Sequence, residues 1–301
     1  MKDRSSINSN PSHLKNQKGS ALIITLLLIT ILVGLVVDFV YEVYIDSSSL
    51  SNWSNAQKAS LVAKSGQTLS THYLTKVNNY TYTYTKELVL PVLIDLGPDT
   101  SLYIKVEDEN SKFNINSIIN DRGSTNEDAL ASLKKLLEYL NINPDLSLAI
   151  ADWIDPDSEP RLSDSENVAK NTYFWSVDEL KSVNGMTADI FNKLSPYVTV
   201  YGDGRINVNT AELPVLVSLS GDMTETFANN IIESRKNKPF ENANEIVRVS
   251  GLKAIGIRIL GKISVKGSSF RVTATARVNE ISRVIESVMD TSKKIYFWRE
   301  E

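Results

Sequence analysis

The sequence predicts an α+β protein: a long N-terminal helix packed on an antiparallel sheet, with a large all-helical domain inserted between the strands. Three observations carry that prediction. Helical periodicity runs from Ser20 to about Leu74, period-two runs flank residues 113–265 on both sides, and within 113–265 the apolar spacing is helical again. A final run as short as Ile295 to Trp298 has little to pair with alone, which favours one sheet completed across an insertion over three domains in a row. The expected boundaries are 1–19 (leader), 20–40 (membrane part of the helix), 41–112 (exposed helix and first strands), 113–265 (insertion) and 266–301 (last strands).

Met1 to Asn16 is polar, rich in Ser and Asn and without periodicity, and reads as a disordered leader. Ser20 to Val37 follows, eighteen residues without an ionisable side chain. As a helix this run is just long enough to cross a hydrocarbon core of roughly 30 Å. Lys2, Arg4, Lys15 and Lys18 against Asp3 alone keep the N-terminal end in the cytoplasm and send the rest outward. A cleaved secretory signal would have a shorter apolar run and a small-x-small site after it. Here the one site of that character, Gly19-Ser20, lies before the run, which leaves a plain signal anchor as the other ordinary reading.

The helix is expected to continue past the membrane. Asp38, Glu42 and Asp46 line one face at four-residue spacing, and Leu50, Trp53, Ala56, Leu61, Val62, Leu69 and Tyr73 recur at helical intervals. One helix from Ser20 to Leu74 would be roughly 80 Å long at 1.5 Å per residue; two helices joined near Ser47-Ser48-Ser49 are the alternative. Thr81 to Thr85 alternates aromatic and hydroxyl side chains as a half-exposed strand does. Leu96-Gly97-Pro98-Asp99 signals a turn, and Leu102 to Val106 a second strand. Later strands are read at Phe270 to Val278, Ser282 to Met289 and Ile295 to Trp298, with a turn at Asn279-Glu280.

The insertion contains two echoes. Lys112-Phe113-Asn114-Ile115-Asn116-Ser117 matches Arg205-Ile206-Asn207-Val208-Asn209-Thr210, and each precedes a helical stretch, so Asn116/Ser117 and Asn209/Thr210 are candidate N-caps. Phe174 to Met186 aligns without gaps on Phe240 to Leu252, each a helix closed by glycine and followed by another, which resembles a helix-hairpin-helix unit. Nucleic-acid binders of that type carry a second glycine where this chain has Thr187 and Lys253, and the first unit is acidic. A scaffold role is favoured over DNA binding.

From Asp152 to Glu166 the chain places six carboxylates, which repel one another unless solvent or a cation intervenes. Acids at positions 1, 3, 5 and 12, counted from Asp155, mimic an EF-hand, but Pro160 stands where its sharp turn requires glycine. The loop is a solvated acidic surface or an oxygen site suited to calcium; a catalytic carboxylate pair is the third reading, for which the sequence argues no substrate pocket.

Bulk properties exclude other classes. The chain has no cysteine, so disulfides and thiolate metal sites are out, and beyond the leader its single histidine is His72. Formal charge is −4; removing a leader of net +3 leaves −7, a poor start for a protein that must displace counterions from nucleic acid.

Lysine and glycine directly before the apolar run resemble the processing site of type IV prepilins and pseudopilins. The resemblance implies that a membrane peptidase cuts after Gly19, leaving Ser20 as a methylated N-terminus. Most members carry a glutamate at the fifth mature residue, which pairs with the N-terminal amine of the subunit ahead; here that position holds Ile24. A subunit without the acid fits the leading position of a filament, where no amine lies ahead to be neutralised. With Asp152 to Pro160, Ser176 to Met186 and Arg205 to Ala211, the chain is similar over nearly its whole length to the general secretion pathway protein K family of type II secretion minor pseudopilins.

That resemblance implies a pilin-like core interrupted by a helical domain, bound calcium, and Asp155, Asp157, Glu159 and Asp164 as its ligands. It implies a non-enzymatic role at the tip of a periplasmic pseudopilus, starting assembly with I- and J-type minor pseudopilins. Contacts to the inner membrane, the prepilin peptidase, and the secretin or secreted substrates follow, with no nucleic-acid partner. The rivals are a membrane-anchored DNA-binding protein of a DNA-uptake system and a minor pilin of a type IV pilus.

Overall fold

A computed structural model describes residues 14–77, 79–80, 82–92, 95–120 and 122–301, with the backbone alone at 14–18 and at 168. Contacts divide the chain into two units, 1–57 and 58–301, each taken by itself. Helix α1 (Leu14–Val77) belongs in part to each and is a single helix through Ser47-Ser48-Ser49 and Gly66. It begins six residues before Ser20, so Leu14, Asn16 and their neighbours are helical; the rest of the leader expected to be disordered lies outside the described residues. In the first unit the apolar run is exposed, with Ile24 at 55% and Phe39 at 65%, and it is long and apolar enough to cross a membrane.

In the second unit the order is β1 (Glu87–Leu90), β2 (Thr100–Asp108), β3 (Phe113–Asn114), α2 (Glu127–Tyr139), α3 (Leu146–Ile154), α4 (Ala188–Leu194), β4 (Val198–Thr199) and β5 (Ile206–Asn207). There follow α5 (Leu213–Ser218), α6 (Glu225–Asn237), α7 (Lys253–Ile259), β6 (Ile263–Ser264), β7 (Ser269–Val278), β8 (Ile281–Asp290) and β9 (Ile295–Glu300). An antiparallel sheet runs β1-β2-β7-β8-β9. Because β2 pairs directly with β7, Asp108 opposite Phe270, the 160 residues between them are an insertion in sequence but not in the sheet. The register puts Ile104, Val106, Val272, Ala274, Ala276 and Ile285 inward, the period-two pattern a half-buried sheet requires.

Two expectations are corrected here. Tyr82 to Thr85 is not a strand, and Thr81 lies outside the described residues; the edge strand is Glu87–Leu90. The alternation misleads because Thr83 is held by scattered partners: its N–H donates to Val265 O, and its Oγ1 accepts from Gly267 N and Asn207 Nδ2. The packing face of α1 also differs from the large apolar stripe. Leu61 and Leu69 point outward, while Ala59, Ala63, Gly66, Gln67, Ser70 and Leu74 are buried. Small residues let the helix lie close on the sheet. A Cβ on Gly66 would sit 3.0 Å from Ala274 Cβ and 3.0 Å from Leu102 Cδ1, so the glycine that weakens the helix is the point of closest approach. Beside it, Gln67 Nε2 donates to Val272 O (3.1 Å) and Ile285 O (3.0 Å), and its Oε1 accepts from Ser287 Oγ (2.7 Å).

The insertion is helical but not wholly so. It consists of two halves, each closed by a two-residue parallel ladder, β3 on β4 and β5 on β6. The sequence echoes mark the first strand of each half. Their capping residues are Asn114 and Asn207, whose side chains accept the N–H of Asn116 and Asn209. Asn116 and Asn209, read as caps, instead pin the chain. Asn116 Oδ1 accepts Phe174 N–H (2.9 Å) while its Nδ2 donates to Phe174 O (2.9 Å) and Val200 O (3.0 Å). Asn209 repeats this with Phe240 N–H (2.9 Å), Phe240 O (2.9 Å) and Val265 O (3.2 Å). The hairpin units follow these phenylalanines. Their first helices are 3-10 turns (Val177–Ser182 and Ala243–Arg248), closed by Gly185 and Gly251 at φ of +83° and +80°, where a side chain would be strained.

Candidate metal centre in the acidic loop

Helix α3 sets up the site. Eight of its nine residues are buried, so Asp152 is carried into the interior with the apolar face and is 0% exposed. Pro156 disfavours helix at Asp155, whose backbone is extended at φ −67°, ψ 153°. The loop returns at Asn171, in the left-handed region at φ +53°, where its N–H donates to Trp153 O at 3.0 Å.

A buried carboxylate needs donors. Asp152 has them all within the loop: Oδ1 accepts from Arg161 Nη1 (2.7 Å), and Oδ2 from Arg161 N–H (2.9 Å), Leu162 N–H (3.2 Å) and Ser165 Oγ. Asp155 is 0% exposed, and its Oδ2 also accepts from Arg161 Nη1. Its Oδ1 has no partner, nor do Glu166 Oε1, Asn171 Oδ1 and the Trp153 indole N–H. Among the described residues these four are the buried side-chain polar atoms left unpaired, and all lie in this one segment. One oxygen each from Asp152, Asp155 and Glu166 lie within 4.8 Å of one another. Burial raises the Asp155 pKa, with Asp157 and Asp152 adding to the shift against the pull of Arg161. Burial likewise raises that of Glu166, reinforced by Asp155 and Asp152.

Of the four ligands expected from the resemblance, the structure brings Asp155 into this cluster. Asp157, Glu159 and Asp164 are exposed. Asp157 Oδ1 accepts Glu159 N–H at 2.9 Å, and Asp164 Oδ1 accepts from Asn167 Nδ2 at 3.2 Å. Asp152 and Glu166 join Asp155 instead. The sequence signal for Glu166 was its twelfth place in the EF-hand-like count; Asp152 was marked only as one of the six carboxylates, and Asn171 carried none. The donors are all oxygen, which suits a hard cation of calcium type rather than zinc. The unpaired Asp155 Oδ1 and Glu166 Oε1, buried beside Asp152, are what such an ion would complete.

The hairpin units offer less to a ligand. Thr187, at one of the positions where a nucleic-acid binder has glycine, caps α4 by accepting Ile190 N–H. In the basic second unit, Arg258 pairs with Asp222 and Lys262 with Asp128.

Residues 111–203 and 206–266 match two family models, both described as type II secretion system (T2SS), protein K, and together they span just over half of the chain. The type II secretion system protein K of Pseudomonas aeruginosa is 24% identical over 308 residues, covering 93% of this chain and 90% of its own length. That of Aeromonas hydrophila is 24% identical over 93% of this chain and 94% of its own. The Dickeya chrysanthemi protein of the same name is 33% identical over 120 residues, 36% of this chain and 34% of its own. The fold resembles a chain in the crystal structure of the GspK-GspI-GspJ complex of enterotoxigenic Escherichia coli, with a TM-score of 0.68 over 85% of this chain and 99% of that one, at 18% identity. On these matches the chain belongs to the type II secretion system protein K family.

Proposed function

We propose that this chain is the minor pseudopilin that leads a type II secretion pseudopilus, assembling with I- and J-type minor pseudopilins and without an enzymatic activity of its own. The observation that carries the reading is Ile24, in a chain that belongs to the protein K family. Cleavage after Gly19 makes Ser20 the first residue and Ile24 the fifth. In an apolar bundle an unpaired charge costs several kcal/mol, so each amine needs an acid from a neighbour. This chain's own amine is taken by the glutamate of the subunit behind it; carrying no acid at Ile24, it has no use for a subunit ahead. The exposed apolar face from Leu22 to Val40 supplies the membrane anchor, with the N-terminus cytoplasmic and residues 58–301 in the periplasm. The insertion between β2 and β7 adds the bulk that closes the front of the stack, where the secretin or exported proteins are met.

Calcium is the structural ion in this reading, held by Asp155, Glu166 and Asn171, with Asp152 shaping the loop around them. Bound there, it ties the end of α3 to the return of the chain at Asn171, a cross-link in a protein without cysteine. The test of position is labelling of assembled pseudopili with an antibody against residues of the insertion. Label confined to filament ends supports the reading, and label distributed along the shafts refutes it. Substituting Ile24→Glu is expected to let the chain enter shafts.

A further inference from the structure

The acidic loop contains a cation of its own. Arg161 Nη1 lies between two buried carboxylates, 2.7 Å from Asp152 Oδ1 and in contact with Asp155 Oδ2. Its Nη2 donates to Thr125 Oγ1 at 2.9 Å, which fixes the plane of the guanidinium from outside the loop. The carboxylates it joins are 0% and 1% exposed at the side chain, so this pair of contacts is little screened by water. An arginine that had simply replaced a metal would leave no oxygen idle. Here it engages one face of Asp155 and leaves Asp155 Oδ1 and Glu166 Oε1 buried and unpaired. Three carboxylates, Asp152, Asp155 and Glu166, less one guanidinium give a formal charge of −2, the complement of a single divalent ion.

We propose that Arg161 is the specificity-determining residue of this centre: a resident counter-cation that limits the loop to one divalent ion and keeps Asp152 and Asp155 together when the ion is absent. The proposal rests on the calcium reading. Its physical basis is that one guanidinium nitrogen, Nη1, bridges both carboxylates while Nη2 is anchored on Thr125, and that the planar group keeps its charge at every accessible pH. Removing it leaves the cluster at −3, which attracts calcium more strongly at short range and low screening, but leaves the ion-free loop with like charges in contact.

The experiment is calorimetric titration of CaCl2 into the full-length protein in detergent, after treatment with chelator and exchange into calcium-free buffer, alongside thermal melts in EGTA. Wild type is expected to bind one calcium. Arg161→Gln is expected to bind calcium at least tenfold more tightly, or to take a second ion, while melting lower than wild type in EGTA. Arg161→Lys, which keeps the charge, should bind within about threefold of wild type. The double variant Asp152→Asn/Arg161→Gln restores −2 and should return to one ion at near wild-type affinity. It also supplies the measurement if Arg161→Gln alone does not fold, since it leaves no added charge unbalanced. Equal weakening in Arg161→Gln and Arg161→Lys, with the double variant weaker still, would make Arg161 a mere clamp; the proposal would then fall and the calcium reading stand. If neither wild type nor the double variant binds calcium, the calcium reading falls and takes the proposal with it.

Discussion

Replacing Asn209 with alanine removes the side chain that closes the second half of the insertion. Three hydrogen bonds are lost, to Phe240 N–H, Phe240 O and Val265 O. Val265 O keeps the Thr83 N–H as a donor, so the groups stranded in the interior are the two of the Phe240 peptide. Leaving a buried donor or acceptor unsatisfied costs about 1–3 kcal/mol each, so the substitution should cost about 2–6 kcal/mol. For a folded unit of this size each kcal/mol lowers the melting temperature by about 2–4 °C, which predicts a fall of roughly 4–24 °C. Asn116→Ala strands the corresponding Phe174 groups and should cost a similar amount. Asn242→Ala, which removes an exposed cap accepting Asn244 N–H, is the control and should cost about 1 kcal/mol or less. The assay is urea unfolding of the full-length protein in detergent, followed by tryptophan fluorescence. An Asn209→Ala cost no larger than that of the control would refute the reasoning, because it would mean these asparagines are ordinary caps and the halves are not pinned through their phenylalanines.

Three further outcomes are expected. Gln67→Leu removes the polar link between α1 and strands β7 and β8 and leaves Ser287 Oγ without that partner, and urea unfolding should report a loss of about 2–4 kcal/mol. At a calcium concentration a hundredfold above its dissociation constant the ion adds about 2.7 kcal/mol, so calorimetric melts in calcium and in EGTA should differ by several degrees, less in Glu166→Gln; superimposable wild-type curves would count against the ion. Asp108 is fully buried and accepts from the neutral donors Asn110 N–H, Asn207 Nδ2 and Thr210 Oγ1, and burial raises its pKa to about 6. The folded pKa is the higher one, so the cost of burying its charge is present above pH 6 and is relieved as pH falls toward the unfolded value. Relative to Asp108→Asn, wild type should gain up to about 3 kcal/mol between pH 7.5 and pH 4, and a pH-independent difference in urea stability would exclude this.

The parts of the fold that sequence made legible are those where burial follows period. β2 and β7 alternate along a half-buried sheet, and α1 runs as one helix through the serine run where two helices were the alternative. What could not be read depends on partners distant in sequence. The face of α1 that packs is made of Ala59, Ala63 and Gly66, chosen for closeness of approach to Leu102 and Ala274, and hydrophobicity alone selects the opposite stripe. Ladders of two residues such as Phe113–Asn114 on Val198–Thr199 are too short to show a period. In the acidic loop, charge density left a solvated surface and a cation site both open, and which carboxylates cluster did not follow from density. Asp152 is committed because α3 buries it, whereas Asp157 and Glu159, closer in spacing, lie on the outer turn. Asn171, whose Oδ1 is also unpaired, comes beside Trp153 only when the chain folds back.

A leading position requires that the chain be trimmed just before its apolar helix, since the missing acid at Ile24 has meaning only if Ser20 is the first residue. Intact-mass analysis of the protein purified from native membranes measures this directly. The expected result is a single species beginning at Ser20 with one added methyl group on the N-terminal amine. A native membrane-bound protein that retains residues 1–19 would contradict it.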